Sequence, residues 1–397
     1  MKTLFDLRKN KNSTVYSGIN QLYQEEVRVF DFQDQEIIPC IGCWDCWLKT
    51  PGNCLMADRM SDSYSDFVNS DTVIILLDTA QGFINHRGKA FIDRTIPHYH
   101  PYIKLVKAES QHLSRYEKLP EMVFYFEREG LTEEEAERIE DYLYRTAYQF
   151  QTKGYRIEDL ESPSLKPLEQ RPAKRGLLPF GSTDSMEKLI IYNGSPRRKA
   201  SNTALILEAT KDRLPDRVEI RDLKNRDRWK TWQEDFLTAE HILFMLPLYV
   251  HSMPSHVMDF IEGIPKSRGS ITFFVQSGFP ESSQSYYLEA YFEQLAKRLG
   301  RTYLGTVIKG GVEGLKARPT QSQQQMIKPM VWIIEDLINS GKINKDQWLK
   351  LGNPVQLSMP GKAFLKSGVI NFYWDQQLKA NNAYHLKNQR PYLKENI

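Results

Sequence analysis

All four cysteines of the chain lie within fifteen residues, with the spacing Cys-x2-Cys-x2-Cys-x7-Cys. Three thiolates at three-residue intervals can converge in one loop, and the turn at Pro51-Gly52 can bring back a fourth. This arrangement suits a [4Fe–4S] cluster held by four cysteines. The candidate metal ligands are therefore Cys40, Cys43, Cys46 and Cys54.

The residues alone leave two other interpretations of this cysteine loop open. Structural zinc usually takes two separated pairs of ligands, so the spacing suits zinc less well. The four thiols could also stay reduced without a metal, or form a disulfide after purification. In that case Trp44 and Trp47 would pack the loop as a structural element.

The stretch "YNGSPRRKASNTALIL" carries a second chemical pattern, that of an anion-binding loop. We predict a strand over Leu189–Tyr192, a turn at Gly194 and a helix that begins near Ser201. Small residues let backbone N–H groups approach an anion, and a helix N-terminus favours negative charge. The pattern is neither a Walker A nor a dinucleotide glycine motif, so it predicts a monophosphate ligand. An ordinary glycine–proline turn with a helix cap is the alternative. The candidate side chains are Ser195, Arg197, Ser201, Asn202 and Thr203.

Two stretches 169 residues apart share one plan, which indicates the elements that position these loops. "SDTVIILLDTAQGFINHRGKAFIDRTIP" begins at Ser70, and "AEHILFMLPLYVHSMPSHVMDFIEGIPK" begins at Ala239. Each has a continuous apolar run, typical of a buried parallel strand, followed by a turn and a helix pattern. Strands and helices alternate in both halves, which favours two doubly wound α/β domains. We interpret the halves as a tandem duplication, and a chance similarity between two β-α units is the alternative.

Other local patterns define the predicted domain boundaries. Residues 161–185 contain four prolines and no clear hydrophobic period, which is typical of a linker. A helix is predicted over Leu131–Phe150, where Thr132 and Glu135 form a capping box and the acidic run forms a solvated face. The predicted organisation is a degenerate first domain with the cysteine loop over 1–160, a linker over 161–185, a second domain over 186–340, and an aromatic-rich C-terminal extension over 341–397.

Three motifs of the second half together resemble a known family. "NGSPRRKASNT", "PLYVHSMPSHVMDFIE" and "QSGFPES" are similar to the flavodoxin-like NAD(P)H-dependent FMN reductases and the related iron–sulfur flavoproteins. The resemblance covers about Glu187 to Gly314 and implies flavodoxin-like sheets in tandem. It also implies that the first loop binds the FMN phosphate, the second lies along the isoalloxazine ring and the third flanks that ring. The second loop is Pro247, Leu248, Tyr249, Val250 and His251, and the third is Ser277, Gly278 and Phe279.

The first half resembles the same family from about Ile38 to Pro97, most clearly in the cysteine loop. It lacks the Gly-Ser-Pro turn, and its ring-loop position reads "DTAQGF" where the second half reads "PLYVHS". We therefore expect FMN to bind to the second half only.

The function that the resemblance implies is an enzyme, an FMN-dependent NAD(P)H oxidoreductase. It would pass electrons to a quinone, a nitro or azo compound, free flavin or a similar acceptor. No second nucleotide fingerprint appears, which is consistent with transient stacking of NAD(P)H on the flavin. Hydride transfer demands no acid–base side chain, so no catalytic residue is nominated. An iron–sulfur flavoprotein electron carrier and a non-catalytic flavodoxin-like scaffold are the alternatives.

Composition and charge narrow the expected partners. The chain has 53 basic and 50 acidic residues, a balance that gives no attraction to nucleic acid or an anionic membrane. Apolar runs are far shorter than the roughly 20 residues that span a bilayer, and the N-terminus does not resemble a signal peptide. We expect a cytoplasmic protein.

The two halves have lost opposite parts of the family pattern. The first keeps the cysteine loop, and the second keeps the phosphate loop. This complementarity predicts an internal pseudo-dimer with approximate twofold symmetry, in which the cysteine loop faces the FMN. Further homo-oligomerisation is left open.

We predict one FMN per chain rather than two. The first half has "DLRKNKNST" at the phosphate-loop position, and backbone approach to a phosphate is harder without a glycine turn. Flavin released by denaturing fully loaded protein should equal the protein concentration, measured by absorbance. A ratio near two would contradict this prediction.

Overall fold

The computed structural model describes residues 1–9, 18–21, 27–33, 35–152, 154–157, 181–184 and 186–394. The chain divides into two units, one made of residues 1–171 and 360–397, the other of residues 172–359. Apart from residues 181–184, the predicted linker over 161–185 lies outside the described residues.

The first unit contains a parallel sheet of five strands in the order β2-β1-β3-β8-β9. Two short antiparallel hairpins, β4-β5 and β6-β7, lie between its third and fourth strands in the sequence. The strands are β1 (Lys2–Asp6), β2 (Arg28–Asp31), β3 (Thr72–Leu77), β4 (Thr79–Ala80), β5 (Phe83–Ile84), β6 (Tyr99–Val106), β7 (Glu109–Ser114), β8 (Glu121–Phe126) and β9 (Tyr155–Ile157).

The second unit contains another parallel sheet of five strands, in the order β11-β10-β12-β13-β14. Its central strands are buried along almost their whole length, as their continuous apolar runs predict. The strands are β10 (Leu189–Asn193), β11 (Val218–Asp222), β12 (His241–Pro247), β13 (Ser270–Gln276) and β14 (Thr302–Lys309).

The strand order defines the fold of both units. In each sheet the second strand lies at one edge, the first lies beside it, and the later strands extend to the other side. This order, 2-1-3-4-5, is that of the flavodoxin-like doubly wound α/β fold. The predicted fold class, two flavodoxin-like sheets in tandem, is confirmed.

The helices follow the predicted alternation with the strands. The capping box is formed as predicted, because Thr132 Oγ1 accepts from the Glu135 N–H and the Glu135 carboxylate accepts from the Thr132 N–H. The helices are α1 (Asp45–Leu48), α2 (Arg59–Asn69), α3 (His86–Asp93), α4 (Glu133–Phe150), α5 (Asn202–Lys211), α6 (Trp229–Thr238), α7 (Ser255–Glu262), α8 (Tyr287–Arg298), α9 (Thr320–Ser340), α10 (Lys345–Leu351), α11 (Met359–Lys366) and α12 (Val369–Ala380).

The offset of 169 residues holds in the structure. Strands β3 and β12 begin 169 residues apart, and helices α3 and α7 both begin and end at that separation. Between them, Gln81-Gly82 and Val250-His251 occupy equivalent positions, and all four residues have positive φ. The two units therefore share the same β-turn-α geometry here, while the duplication itself stays a prediction.

The C-terminal segment belongs to the first unit from residue 360 onward. Trp374 of α12 is 5% exposed and packs edge-on against Trp44 and Trp47 of the cysteine loop. Further along, the Arg115 guanidinium donates to the carbonyls of Lys387 and Gln389. This part of the aromatic-rich extension is thus structural. No helix in the described parts of the chain is long and apolar enough to cross a membrane.

Replacing Trp374 with alanine should lower the free energy of unfolding of the first unit by about 3–5 kcal/mol, because it removes a buried aromatic ring. Denaturant titration followed by circular dichroism measures the change. Phe372 is the matched control, because it lies on the same helix and is 61% exposed. Phe372→Ala should change stability by no more than about 0.5 kcal/mol. Equal losses in the two variants would contradict the packing of α12.

Candidate functional site

The candidate phosphate loop begins where β10 ends, and Gly194 fixes its course. The Gly194 N–H donates to the Met245 carbonyl on the neighbouring strand β12 at 2.9 Å. A Cβ at this position would lie 2.6 Å from Leu246 Cδ2 and 3.0 Å from a methyl group of Val257. A side chain at position 194 would therefore force the buried side chains of Leu246 and Val257 to shift, and glycine avoids this.

The loop then leads into the N-terminus of α5, as predicted. The Ser195 side chain is buried, and its N–H donates to Asn193 Oδ1 at 3.0 Å. Ser201 is the N-cap of α5, since its hydroxyl accepts from the Ala204 N–H at 2.9 Å. The loop and cap together present the positive end of a ten-residue helix at the edge of the sheet.

Two of the predicted phosphate ligands also have structural roles that the sequence did not predict. Asn202 Nδ2 donates to the Val312 carbonyl at 2.9 Å, which ties the start of α5 to the segment after β14. The Thr203 hydroxyl accepts from Gln276 Nε2 at 2.8 Å, which ties it to the end of β13. These two side chains therefore position the helix N-terminus.

The predicted ring loop is a tight turn at the end of β12. The Tyr249 N–H donates to the Ser252 carbonyl, and the Ser252 N–H donates back to the Tyr249 carbonyl, at 2.8 and 2.9 Å. Val250 and His251, at the centre, have φ values of 32° and 61°. Positive φ is costly for a β-branched residue, so the backbone is strained here. Pro247, Leu248, Tyr249 and Val250 are all partly exposed, and His251 is buried.

The predicted third loop is held against the chain that follows β14. The Ser277 N–H donates to the Lys309 carbonyl, and the Val312 N–H donates to the Ser277 carbonyl, both at 3.0 Å. The Gly311 N–H donates to the Phe279 carbonyl at 2.9 Å. Gly278, between them, is exposed. The loop thus continues the pairing of β13 and β14 beyond the sheet.

The sheet brings these three loops together at the carboxyl ends of its strands. They follow β10, β12 and β13, which are adjacent parallel strands, so all three leave the carboxyl end of the sheet side by side. A hydrogen bond of 2.7 Å from the Leu248 N–H to the Gln276 carbonyl joins the second loop to the end of β13. Ligands of doubly wound sheets bind at this edge, near the point where the strand order reverses.

Two polar atoms at this edge fit a ligand rich in hydroxyl groups. Gln276 Oε1 and Ser252 Oγ are buried and have no hydrogen-bond partner among the described residues. Buried polar atoms are nearly always hydrogen-bonded, so a ligand that bonds to them would remove an energetic cost. The residues present therefore fit FMN, whose ribityl chain carries hydroxyls between the ring and the phosphate. Gln276 was missed in the sequence, although a polar residue at the end of a buried strand is a usable signal.

The charges around the phosphate loop are mixed. Arg197 is partly buried, and its Nη1 lies 4.0 Å from Glu313 Oε1. Burial raises the pKa of Glu313 to about 7, against the opposing effect of Arg197. Burial, and then the charge of Arg197, lower the pKa of Lys316. Sequence patterns did not indicate Glu313 or Lys316, because both lie more than 100 residues from the loop that they approach.

The equivalent edge of the first unit has a different chemistry. Arg8 forms a bidentate pair with Asp6 at the end of β1, at 2.9 and 2.8 Å. Asp78, directly after β3, accepts from the Lys9 N–H at 2.6 Å, and burial raises its pKa. Carboxylates thus lie at the ends of β1 and β3, and they already accept from the Arg8 guanidinium and the Lys9 N–H, donors that a phosphate would otherwise use.

The cysteine loop of the first unit is a packed structure with four free thiols. Cys46 is buried, Cys43 is exposed, and Cys40 and Cys54 are intermediate. Burial raises the pKa of Cys40 to about 12 and also raises that of Cys46. Both thiols are therefore protonated at neutral pH.

Neighbouring side chains hold this loop in place. The Arg94 guanidinium donates to both carboxylate oxygens of Asp58, at 2.8 and 3.0 Å, and to the Ile38 carbonyl at 2.8 Å. The rings of Trp44 and Trp47 stack with centroids 6.3 Å apart. Throughout the described residues, no three or more His, Cys, Asp or Glu side chains are grouped to hold a metal ion. The predicted [4Fe–4S] site is therefore not supported, and the aromatic packing of the alternative interpretation is present.

Comparisons with known proteins give structural likenesses only. No protein-family model matches the chain, and no curated protein matches it. An FMN-dependent NADH-azoreductase from Bacillus anthracis, solved with FMN, is 17% identical over 39% of this chain and 98% of its own, with a TM-score of 0.30. General stress protein 14 from Treponema denticola, also solved with FMN, is 15% identical over 38% of this chain and 99% of its own, with a TM-score of 0.31. An NADPH-quinone reductase from P. pentosaceus is 16% identical over 36% of this chain and 94% of its own, with a TM-score of 0.29. The fold of this chain is defined by its strand order.

The burial of the thiols predicts their reactivity. In the folded protein, an alkylating reagent should modify Cys43 first, because its side chain is exposed, and should spare Cys40 and Cys46. Partial burial raises the pKa of Cys43, so its rate should increase about tenfold per pH unit below that pKa. Peptide mass spectrometry after timed alkylation measures the order. Rapid modification of Cys46 under native conditions would contradict it.

Proposed function

We propose that the second unit binds FMN at the carboxyl edge of its sheet and that the protein is an NAD(P)H-dependent FMN oxidoreductase. The acceptor would be a quinone, a nitro or azo compound, free flavin or a similar molecule. The observation that carries the proposal is the convergence of the three predicted loops after β10, β12 and β13. The N-terminus of α5 and the buried acceptor Gln276 Oε1 support the same ligand.

Each loop has a distinct role in this proposal. The phosphate loop binds the phosphate through backbone N–H groups, the hydroxyls of Ser195 and Ser201, and the Arg197 guanidinium. Asn202 and Thr203 orient the helix N-terminus through Val312 and Gln276. That all five side chains also contact the phosphate directly stays a prediction.

The other two loops would bind the ring. Bound FMN supplies a ring that accepts a hydride from a nicotinamide and passes electrons on. The partly exposed apolar residues from Pro247 to Val250 offer a surface for one face of the ring, and the hydrogen-bonded turn keeps that surface rigid. The exposed position of Gly278 leaves room beside the ring for a second molecule.

The first unit would not bind FMN. Asp6 and Asp78 already accept from the Arg8 guanidinium and the Lys9 N–H, directly after β1, which supports one flavin per chain. A role for the first unit as the second half of an internal pseudo-dimer stays a prediction, as does any larger oligomer.

Arg197→Gln should weaken FMN binding by about 10- to 100-fold, because a hydrogen bond to a charged group contributes about 1.5–3 kcal/mol. Titration of flavin-free protein with FMN, followed by flavin fluorescence, measures Kd. Arg213→Gln is the matched control, since Arg213 lies just beyond the other end of α5, pairs with Glu335 and is half exposed. The control should bind FMN as the wild type does.

The activity is tested separately from binding. Loaded protein should oxidise NADH or NADPH in the presence of a quinone, followed by loss of nicotinamide absorbance. FMN binding without NAD(P)H oxidation would contradict the reductase function and favour the electron-carrier function. Absence of FMN binding under all conditions would contradict the proposed FMN site and favour the non-catalytic scaffold.

A further inference from the structure

Glu313 occupies an unusual place for an acidic residue. It begins a short 3-10 helix, Glu313–Ala317, directly after Val312, whose carbonyl accepts from Asn202 and whose N–H donates to Ser277. These bonds fix the start of the 3-10 helix between the phosphate loop and the third loop.

The Glu313 side chain lies next to both loops. One of its oxygens lies 4.0 Å from Arg197 Nη1 on the phosphate loop. On the other side, a Cβ at Gly278 would lie 3.3 Å from Glu313 Cβ and 3.6 Å from Oε2. A side chain at position 278 would thus pack tightly against Glu313 Cβ and reach van der Waals contact with the carboxylate.

This placement conflicts with the binding of a phosphate. An anion bound by the proposed loop would share Arg197 with a carboxylate already beside it, and like charges at such distances disfavour each other. The ion pair itself is weak, because its charged atoms come no closer than 4.0 Å. A phosphate can therefore displace Glu313 from Arg197, provided that the carboxylate loses its charge or turns away.

We infer that Glu313 makes FMN binding proton-linked: it pairs with Arg197 when the phosphate subsite is empty, and it takes up a proton when a phosphate binds to Arg197. This inference rests on the proposed function, because it assumes that the phosphate loop binds FMN. Protonated Glu313 can donate a hydrogen bond to the phosphate, whereas the charged form repels it. The protonation state of Glu313 thus determines how strongly the site binds a negatively charged phosphate.

The surrounding charges support this linkage. Arg197 is the charged group that faces Glu313 from the phosphate loop, Gly278 brings no charge from the third loop, and Lys316 lies on the same 3-10 helix. Burial raises the pKa of Glu313 to about 7, so its proton is available near neutral pH. Because the bound state holds the proton more tightly, FMN affinity falls as pH rises through 7. The limiting slope is about tenfold in Kd per pH unit for one proton.

The experiment compares FMN binding by the wild type and Glu313→Gln between pH 7.0 and 8.5. In this range the phosphate is already mostly dianionic, since its second pKa is about 6. The wild-type Kd should increase about tenfold across the range, and that of Glu313→Gln less than threefold. Glu234→Gln is the matched control, an exposed glutamate on α6 of the same unit, and should follow the wild type.

A second measurement on the wild type alone covers the case in which Glu313→Gln fails to fold. Calorimetric titration with FMN at pH 7.5, in buffers with different ionisation enthalpies, should show net proton uptake. Absence of proton uptake, or an unchanged pH profile in folded Glu313→Gln, would overturn the inference and leave FMN binding intact. Failure of the wild type to bind FMN would instead overturn the proposed function.

Discussion

The close approach of Gly194 to strand β12 is the constraint on which the candidate site depends. Because residue 194 has no side chain, β10 can end directly against Met245 and Leu246, and the chain then leads into α5. The N-terminus of α5 then lies beside the loops from the next two strands. A larger residue at 194 would move that N-terminus away from them.

Hydrogen bonds from side chains extend this constraint across the whole edge. Asn202 connects the start of α5 to Val312, and Val312 pairs with Ser277 of the third loop. Thr203 meets Gln276 at the end of β13. Loops are usually the most mobile parts of an α/β domain. Here each loop is bonded to another loop or strand end, so a ligand meets a largely preformed site.

The fold could be predicted from the sequence because its signals are local. Continuous apolar runs indicated buried parallel strands, and the capping box at Thr132 and Glu135 indicated a helix start. The site could be predicted only in part. The partners of Asn202 and Arg197 lie more than 100 residues away, at Val312 and Glu313, so no local pattern reveals them. Likewise, the cysteine spacing indicated metal ligands, but spacing does not report how the side chains are placed, and the described residues contain no group of three or more such ligands.

The return of the C-terminal segment to the first unit has a consequence for biosynthesis. Residues 360–394 leave the ribosome only after the whole of the second unit has been made. Until then Trp44 and Trp47 lack the indole of Trp374, and Arg115 lacks two of its carbonyl acceptors. The second unit is continuous in sequence and can fold as it emerges. The N-terminal unit, although synthesised first, is therefore the last to acquire its complete core.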